Sequence, residues 1–224
     1  MAFELKLYRD DIAPQARIAY ARGAQAVRAV YLVSGGLRLE APGFSGALGA
    51  NSAFIAADSA QPKGGHLASV ALRWELTAAS VPAAPLEGEG VSSQLLLSAP
   101  IELDATREYL LRCDRVDFPP GGEALLHTHQ GGGIRCLLFG GIAIETLGAR
   151  HAYGPLGAWF EAGPQLVYAA ASTSADTAFA RVMILPRALL GKSSISYVNA
   201  ADLAKPKSQR YQVFIDAPIA LPAT

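Results

Sequence analysis

Pro119-Pro120-Gly121-Gly122-Glu123-Ala124-Leu125-Leu126-His127-Thr128-His129-Gln130-Gly131-Gly132-Gly133-Ile134-Arg135 is the stretch on which the reading of the chain turns. Side chains of a strand repeat every second residue, so His127 and His129 fall on one face of an extended segment. A Pro-Gly turn precedes the pair and a glycine run follows it, which places the imidazoles near the mouth of a strand pair. Two imidazoles on one face are half of a metal site.

The flanking sequence is built of short β-rich runs separated by turns. Arg107 to Phe118 leads into the histidines, and Ile134 to Phe139, Ile142 to Thr146, Tyr153 to Glu161 and Ala178 to Pro186 follow. Upstream, Ala26 to Glu40 reads as two β-rich runs broken by Gly35-Gly36, the pattern of a hairpin. Asn51 to Ala57 and His66 to Leu76 are further runs. No clean helical period extends beyond about ten residues, so the class is all-β, a sandwich or barrel. A short helix or turn is expected around 200–204 and a last strand over 211–216, to complete a barrel or an edge between subunits.

The two halves repeat. Arg73 matches Arg181, and Leu48-Gly49-Ala50 matches Leu156-Gly157-Ala158, at a spacing of 108. Gly35-Gly36-Leu37-Arg38-Leu39-Glu40 matches Gly140-Gly141-Ile142-Ala143-Ile144-Glu145 at 105. Ordered matches at a near-constant offset predict two similar β-domains in tandem. Thr77 to Ser93, rich in Ala, Pro, Gly and Ser, reads as the linker. The expected division is a barrel over 1–80, a linker over 81–94, a second barrel over 95–190 and an extension over 191–224.

Composition excludes several classes. In 224 residues, 51% hydrophobic and 17% charged, 19 basic side chains balance 19 acidic ones, so no bulk charge steers the protein to nucleic acid or membrane. Met1 to Lys6 carries no basic-then-apolar signal, and no run nears the ~20 apolar residues that cross a bilayer, so a cytoplasmic protein is expected. Cys113 and Cys136 are too few for a disulfide scaffold and read as buried thiols. Gly131-Gly132-Gly133 lacks the Lys-Ser/Thr of a phosphate loop.

With these residues in view, the second half resembles the cupin superfamily (RmlC-like barrels). The family's first motif runs glycine, five residues, His-x-His, three or four residues, Glu, six residues, Gly. Gly121, His127-Thr128-His129 and Gly141 fall in place. Pro155-Leu156-Gly157 answers the second motif, and Trp159-Phe160-Glu161 is similar to a variant among small bacterial cupins. The resemblance covers Arg107 to Pro186, and the repeat extends a degenerate copy over 20–77, an arrangement similar to a bicupin. It implies tandem jelly-roll (double-stranded β-helix) barrels, and a mononuclear iron, manganese, nickel or zinc held by both histidines, the first-motif Glu and a second-motif His. Here the Glu position falls on Gly133 or Ile134 and the second His position on Leu166, Val167 or Tyr168, while Arg22-Gly23-Ala24 stands where the first half would carry His-x-His.

The candidate site therefore combines His127 and His129, as ligands of a divalent metal (Zn, Fe, Mn or Ni) or as acid and base, with Glu161 as the carboxylate best suited to a third ligand. Gln130 and Tyr168 offer further oxygens, and His151 and His66 are the remaining imidazoles. Arg135 shares the inward face and suits a planar anion, or pairs with Glu123, Glu145 or Glu161. Trp159, Phe160, Phe179 and Tyr153 are expected in the core. Two functions stand side by side. One is an enzyme of small organic acids or carbonyl compounds, with Arg135 as its anion anchor. The other is a non-catalytic binding or sensing cupin whose metal site has decayed. The expected partners are a small anionic molecule and a second copy of the chain in a homodimer.

Overall fold

The computed structural model describes residues 2–20, 25–41, 44–57 and 61–223. They form two compact units, Met1–Ala105 with Ala220–Thr224, and Thr106–Ile219. The first unit contains β1 (Ala2–Ile12), β2 (Ala26–Ser34), β3 (Gly36–Ala41), β4 (Phe44–Gly49), β5 (Ser52–Ala56), β6 (Gln61–Gly64), β7 (Ser69–Ala78) and β8 (Val91–Glu102). The second contains β9 (Tyr109–Phe118), β10 (Glu123–His129), β11 (Gly133–Phe139), β12 (Ile142–Thr146), β13 (Ala149–Tyr153), β14 (Ala158–Glu161), β15 (Val167–Ala171), β16 (Thr177–Pro186), β17 (Ile195–Tyr197) and β18 (Arg210–Ile219). The α-helix among the described residues is the one-turn α1 (Ala200–Leu203).

Each unit is an antiparallel jelly-roll barrel, so the all-β tandem architecture expected from the sequence is the one observed. The first unit has a sheet in the order β5-β2-β7-β1-β8 and a smaller one, β4-β3-β6. The second has β14-β11-β16-β9-β18 facing β13-β12-β15-β10-β17. The sheet β5-β2-β7-β1-β8 matches β14-β11-β16-β9-β18 strand for strand. Alternation carries the packing: Val167, Ala169 and Ala171 of β15 are buried while Tyr168 and Ala170 between them are less so. Their inward face meets Val116, Phe118, Leu137, Trp159 and Phe179. Phe160, out of phase with Trp159, is only half-buried. Cys113 and Cys136 are buried free thiols.

The Gly-Gly pairs do not make hairpins. β2 pairs with β5 and β7, whereas β3 pairs with β4 and β6, so the chain changes sheets at Gly35-Gly36. Gly140-Gly141 serves the same corner between β11 and β12. Gly35 and Gly140 have φ of 74° and 79°, a conformation costly for a residue with a Cβ. A hydroxyl braces each corner. Ser69 Oγ bonds both the N–H and the carbonyl of Gly36, and Thr177 Oγ1 does so at Gly141. The next matched turn keeps the 105 spacing, because the N–H groups of Asn51 and Leu156 donate to the carbonyls of Leu32 and Leu137. Leu48-Gly49-Ala50 is thus not the counterpart of Leu156-Gly157-Ala158.

The expected boundaries also move. β8 pairs along β1 from Ala2↔Glu102 to Ile12↔Val91, so the first unit extends to Ala105 and its Pro-rich segment is an internal connection. The C-terminal segment is part of the second barrel: β17 pairs with β10, and β18 with β9. The last strand covers an edge of its own unit.

The units differ where the histidines stand. In the first, the strand corresponding to β10 is reduced to isolated bridges, Arg17↔Lys63 and Ala19↔Glu87. Its interior holds a buried ion network in which Arg73 clamps Asp10 and contacts Glu75, and Arg28 contacts the same Glu75 oxygen at 2.7 Å. Arg22-Gly23-Ala24 lies outside the described residues.

Candidate metal centre

His127 and His129 owe their position to a bulge in β10. Ala124 pairs with Ala169 and His127 with Val167, three residues against two, so Ala124 and His127 both face inward although they are an odd number apart. Beyond the bulge the strand is regular and His129 follows on the same face. The His127 Nδ1–H donates to the Leu125 carbonyl at 2.6 Å, which leaves the Nε2 lone pair directed elsewhere. That Nε2 lies 3.1 Å from His129 Nε2.

The third group comes from the opposite sheet. Glu161 of β14 pairs directly with Gly133 of β11, one of the two positions where the cupin resemblance puts its glutamate. No side chain fits at Gly133, since a Cβ there would stand 2.3 Å from the Val182 carbonyl oxygen. The carboxylate is supplied across the ladder instead. Glu161 Oε2 lies 3.3 Å from His129 Nε2, and the donor atoms of His127, His129 and Glu161 all lie within 4.8 Å of one another. All three residues are buried.

Arg135, adjacent on β11, is 1% exposed and already engaged. Its Nη2 is 2.6 Å from Glu161 Oε2 and its Nη1 donates to the Gly133 carbonyl at 2.6 Å. Of the partners open to it in the sequence it takes Glu161, so its guanidinium is not an exposed anion anchor. The Trp159 Nε1–H donates to Glu161 Oε1 at 2.8 Å, which makes this core tryptophan a positioning residue as well.

The charges follow from these contacts. Burial penalises the imidazolium and pushes His129 down to about 3, outweighing the nearby Glu161; His127 is lowered for the same first reason. Burial opposes ionisation of Glu161, but Arg135, His129 and the indole N–H together hold its carboxyl well below the usual range. Arg135 is drawn down to about 10 by burial and stays cationic at neutral pH.

Two buried atoms without a hydrogen bond test the fit of a metal. Glu161 Oε2 is within ion-pair distance of Arg135 but has no aligned hydrogen bond, so a buried acceptor is left facing the imidazoles. This favours a cation. His129 Nδ1 is also without a hydrogen bond. A metal on Nε2 would oblige the proton to sit on Nδ1, where no acceptor waits, and the outer hydrogen bond that usually orients such a ligand is missing. The residues fit a three-ligand metal site.

The remaining candidates are elsewhere. Gln130 is exposed in the turn after β10. Tyr168 points away from the barrel interior and hydrogen-bonds Glu123 at 2.5 Å, lining a groove of about 470 Å³ whose walls include neither His127 nor His129. Both miss because alternation puts them out of phase with the inward face. His151 is exposed on β13 and His66 is exposed in the first unit. The inward residue at the expected second histidine is Val167, 2% exposed. The sequence reading also overlooked Arg181 and Asp114, whose side chains form a buried bidentate pair at 2.6 and 3.0 Å. The match of Arg181 to Arg73 was their only signal.

The space beside the three ligands is about 20 Å³, room for one ion or water and not for an organic acid. A chamber of about 370 Å³ lies next to it, and Arg181 and Tyr211 line both.

No protein-family model and no curated protein matches the chain. Solved structures do. The B. subtilis oxalate decarboxylase OxdC, as its DEL162-163 mutant, covers 90% of this chain and 73% of its own at a TM-score of 0.60 and 11% identity. AerE from Microcystis aeruginosa covers 82% and 87% at 0.57 and 15%. Protein Ylba from E. coli covers 80% and 76% at 0.54 and 12%. Likeness at such identities shows a shared fold, and these neighbours are cupin-type: the chain has the cupin jelly-roll fold.

Proposed function

We propose that the second barrel binds one divalent metal through His127, His129 and Glu161 and acts on a small organic acid or carbonyl compound presented to that metal from the adjoining chamber. The observation that carries this reading is the convergence of three buried donor atoms from opposite sheets, one of them a carboxylate oxygen without an aligned hydrogen bond. Among the fold neighbours, the B. subtilis oxalate decarboxylase has Mn(II) centres, which supports a metal of this kind without fixing its identity.

A bound metal would polarise a carbonyl or carboxylate oxygen, or lower the pKa of a bound water. The protein's own groups prepare for it. Burial keeps both imidazoles neutral and able to ligate. Arg135 keeps Glu161 ionised, and Trp159 fixes its other oxygen. A histidine held near 3 is a weak base at neutral pH, so His129 serves as a ligand and not as the acid–base catalyst that the sequence also allowed.

A second reading, a binding cupin with a decayed site, draws support from Val167 in the fourth position and from the engagement of Glu161 by Arg135. Metal content decides between them. Untagged protein, loaded with Mn, Fe, Ni or Zn and then dialysed, is expected to retain near one equivalent, and His127→Ala/His129→Ala none. Absence of metal from the wild type would overturn the metal-dependent reading.

A further inference from the structure

We infer that the chamber beside the candidate metal centre is a carboxylate-binding site, with Arg181 and Lys192 as its cationic anchors. It has about 370 Å³, within the range of small-molecule sites. Its wall carries three basic side chains, Arg112, Arg181 and Lys192, against two acidic ones, Asp114 and Asp216.

These five are not equivalent. Arg112 is saturated: it clamps Asp216 through Nε and Nη2 and donates to the carbonyls of Lys192 and Leu189. Asp216 also accepts the Gly191 N–H at 2.7 Å. This pair builds the wall by tying the 189–192 segment to β9 and β18. Asp114 is committed to Arg181, whose Nε and Nη2 hold it. What remains is cationic. Arg181 Nη1 has no hydrogen-bond partner among the described residues, and neither does Lys192 Nζ.

Arg181 is 6% exposed, with its fork fixed by Asp114 and the Tyr211 ring centroid 5.5 Å from the guanidinium carbon. A guanidinium held in one orientation loses little entropy on binding an anion. Ile195, Val213 and the Tyr211 ring give the chamber an apolar side. Fixed positive charge beside apolar surface selects a carboxylate on a short apolar body.

The inference deepens the proposed function. It rests on that reading only in directing the ligand's far end past Arg181 and Tyr211 towards the histidines. Benzoate, with benzamide as its neutral isostere, is the probe, followed by saturation-transfer NMR and calorimetry on the full chain. Benzoate is expected to bind at least tenfold more tightly than benzamide. Lys192→Glu should weaken benzoate at least tenfold and Val213→Trp should abolish it; both positions are exposed, and a thermal melt checks each fold. His127→Ala/His129→Ala should leave benzoate binding intact while its metal content falls. No benzoate binding by the wild type overturns the chamber, and so does binding that survives both chamber variants. Retained benzoate binding in a wild type that holds no metal separates the two ideas, sinking the metal reading and sparing the chamber.

Discussion

At the scale of single residues, Arg135 decides how well the three ligands serve a metal. It stands 2.6 Å from the carboxylate oxygen that a metal would use, so guanidinium and dication compete for one Oε2. Replacing it by a neutral side chain of similar length has two opposed effects. The metal-free protein loses the partner of a buried carboxylate, at about 3–5 kcal/mol. The metal then no longer competes with a guanidinium for Glu161 Oε2, while the Trp159 indole keeps Oε1. Arg135→Met is therefore expected to melt lower than wild type without metal and to gain more from added zinc than wild type does. Melting curves with and without zinc check this, and an equal or smaller zinc gain would contradict it. Val167 and Gly133 are the other decisive residues. One puts a hydrocarbon where the cupin resemblance implies a ligand, and the other leaves the carboxylate to the paired strand β14.

Among the elements, β18 carries the most weight for its distance from the histidines. It pairs with β9 from Arg210↔Asp117 to Ile219↔Tyr109 and brings Asp216 to Arg112 and Tyr211 to Arg181. A chain ending at Ser208 would leave β9 an open edge, Arg112 a buried cation without its carboxylate and the chamber without one wall. Such a truncation is expected to cost the second unit several kcal/mol and to lower its thermal midpoint by 10 °C or more. Near-UV circular dichroism of the truncated chain would show it; a native spectrum and unchanged midpoint would mean that β18 is an accessory strand. The bulge in β10 matters in another way. One extra residue brings both His127 and Ala124 to the inner face, and β-alternation alone would not have allowed that.

For the molecule as a whole, the buried histidines tie stability to pH. Both are lowered from 6.5, so above that value folded and unfolded chains carry them neutral and they make no difference. As pH falls below 6.5 the unfolded chain takes up protons that the folded one refuses, and for His129 this continues to about 3. Stability should decline by up to ~1.4 kcal/mol per pH unit for each histidine. Below 4.5 Glu161, held under its ordinary value, adds a loss of the same sign. Denaturant titrations of the metal-free protein at pH 7, 6, 5 and 4 should show the decline, and His127→Ala/His129→Ala should flatten it. Constant stability from pH 7 to 5 would contradict neutral buried imidazoles.

Local pattern alone carried the class of the fold and half of the centre. Strand periodicity and turn residues are local, so short β runs, the one-face placement of His127 and His129 and the repeat of Arg73 in Arg181 could be read from spacing alone. Glu161 was legible as a suitable carboxylate, but its meeting with the histidines was not, because that depends on the pairing of β14 with β11 and on two sheets facing each other. Tertiary structure decided the rest. It turned Gly35-Gly36 from a hairpin into a corner between sheets, moved β8 into the first unit and β18 into the second, and turned Gln130 and Tyr168 away from the interior. It also committed Arg135 to Glu161 and left Arg181 facing a chamber. These outcomes are set by contacts between residues distant in the chain, where burial and charge pairing act and local pattern carries no information.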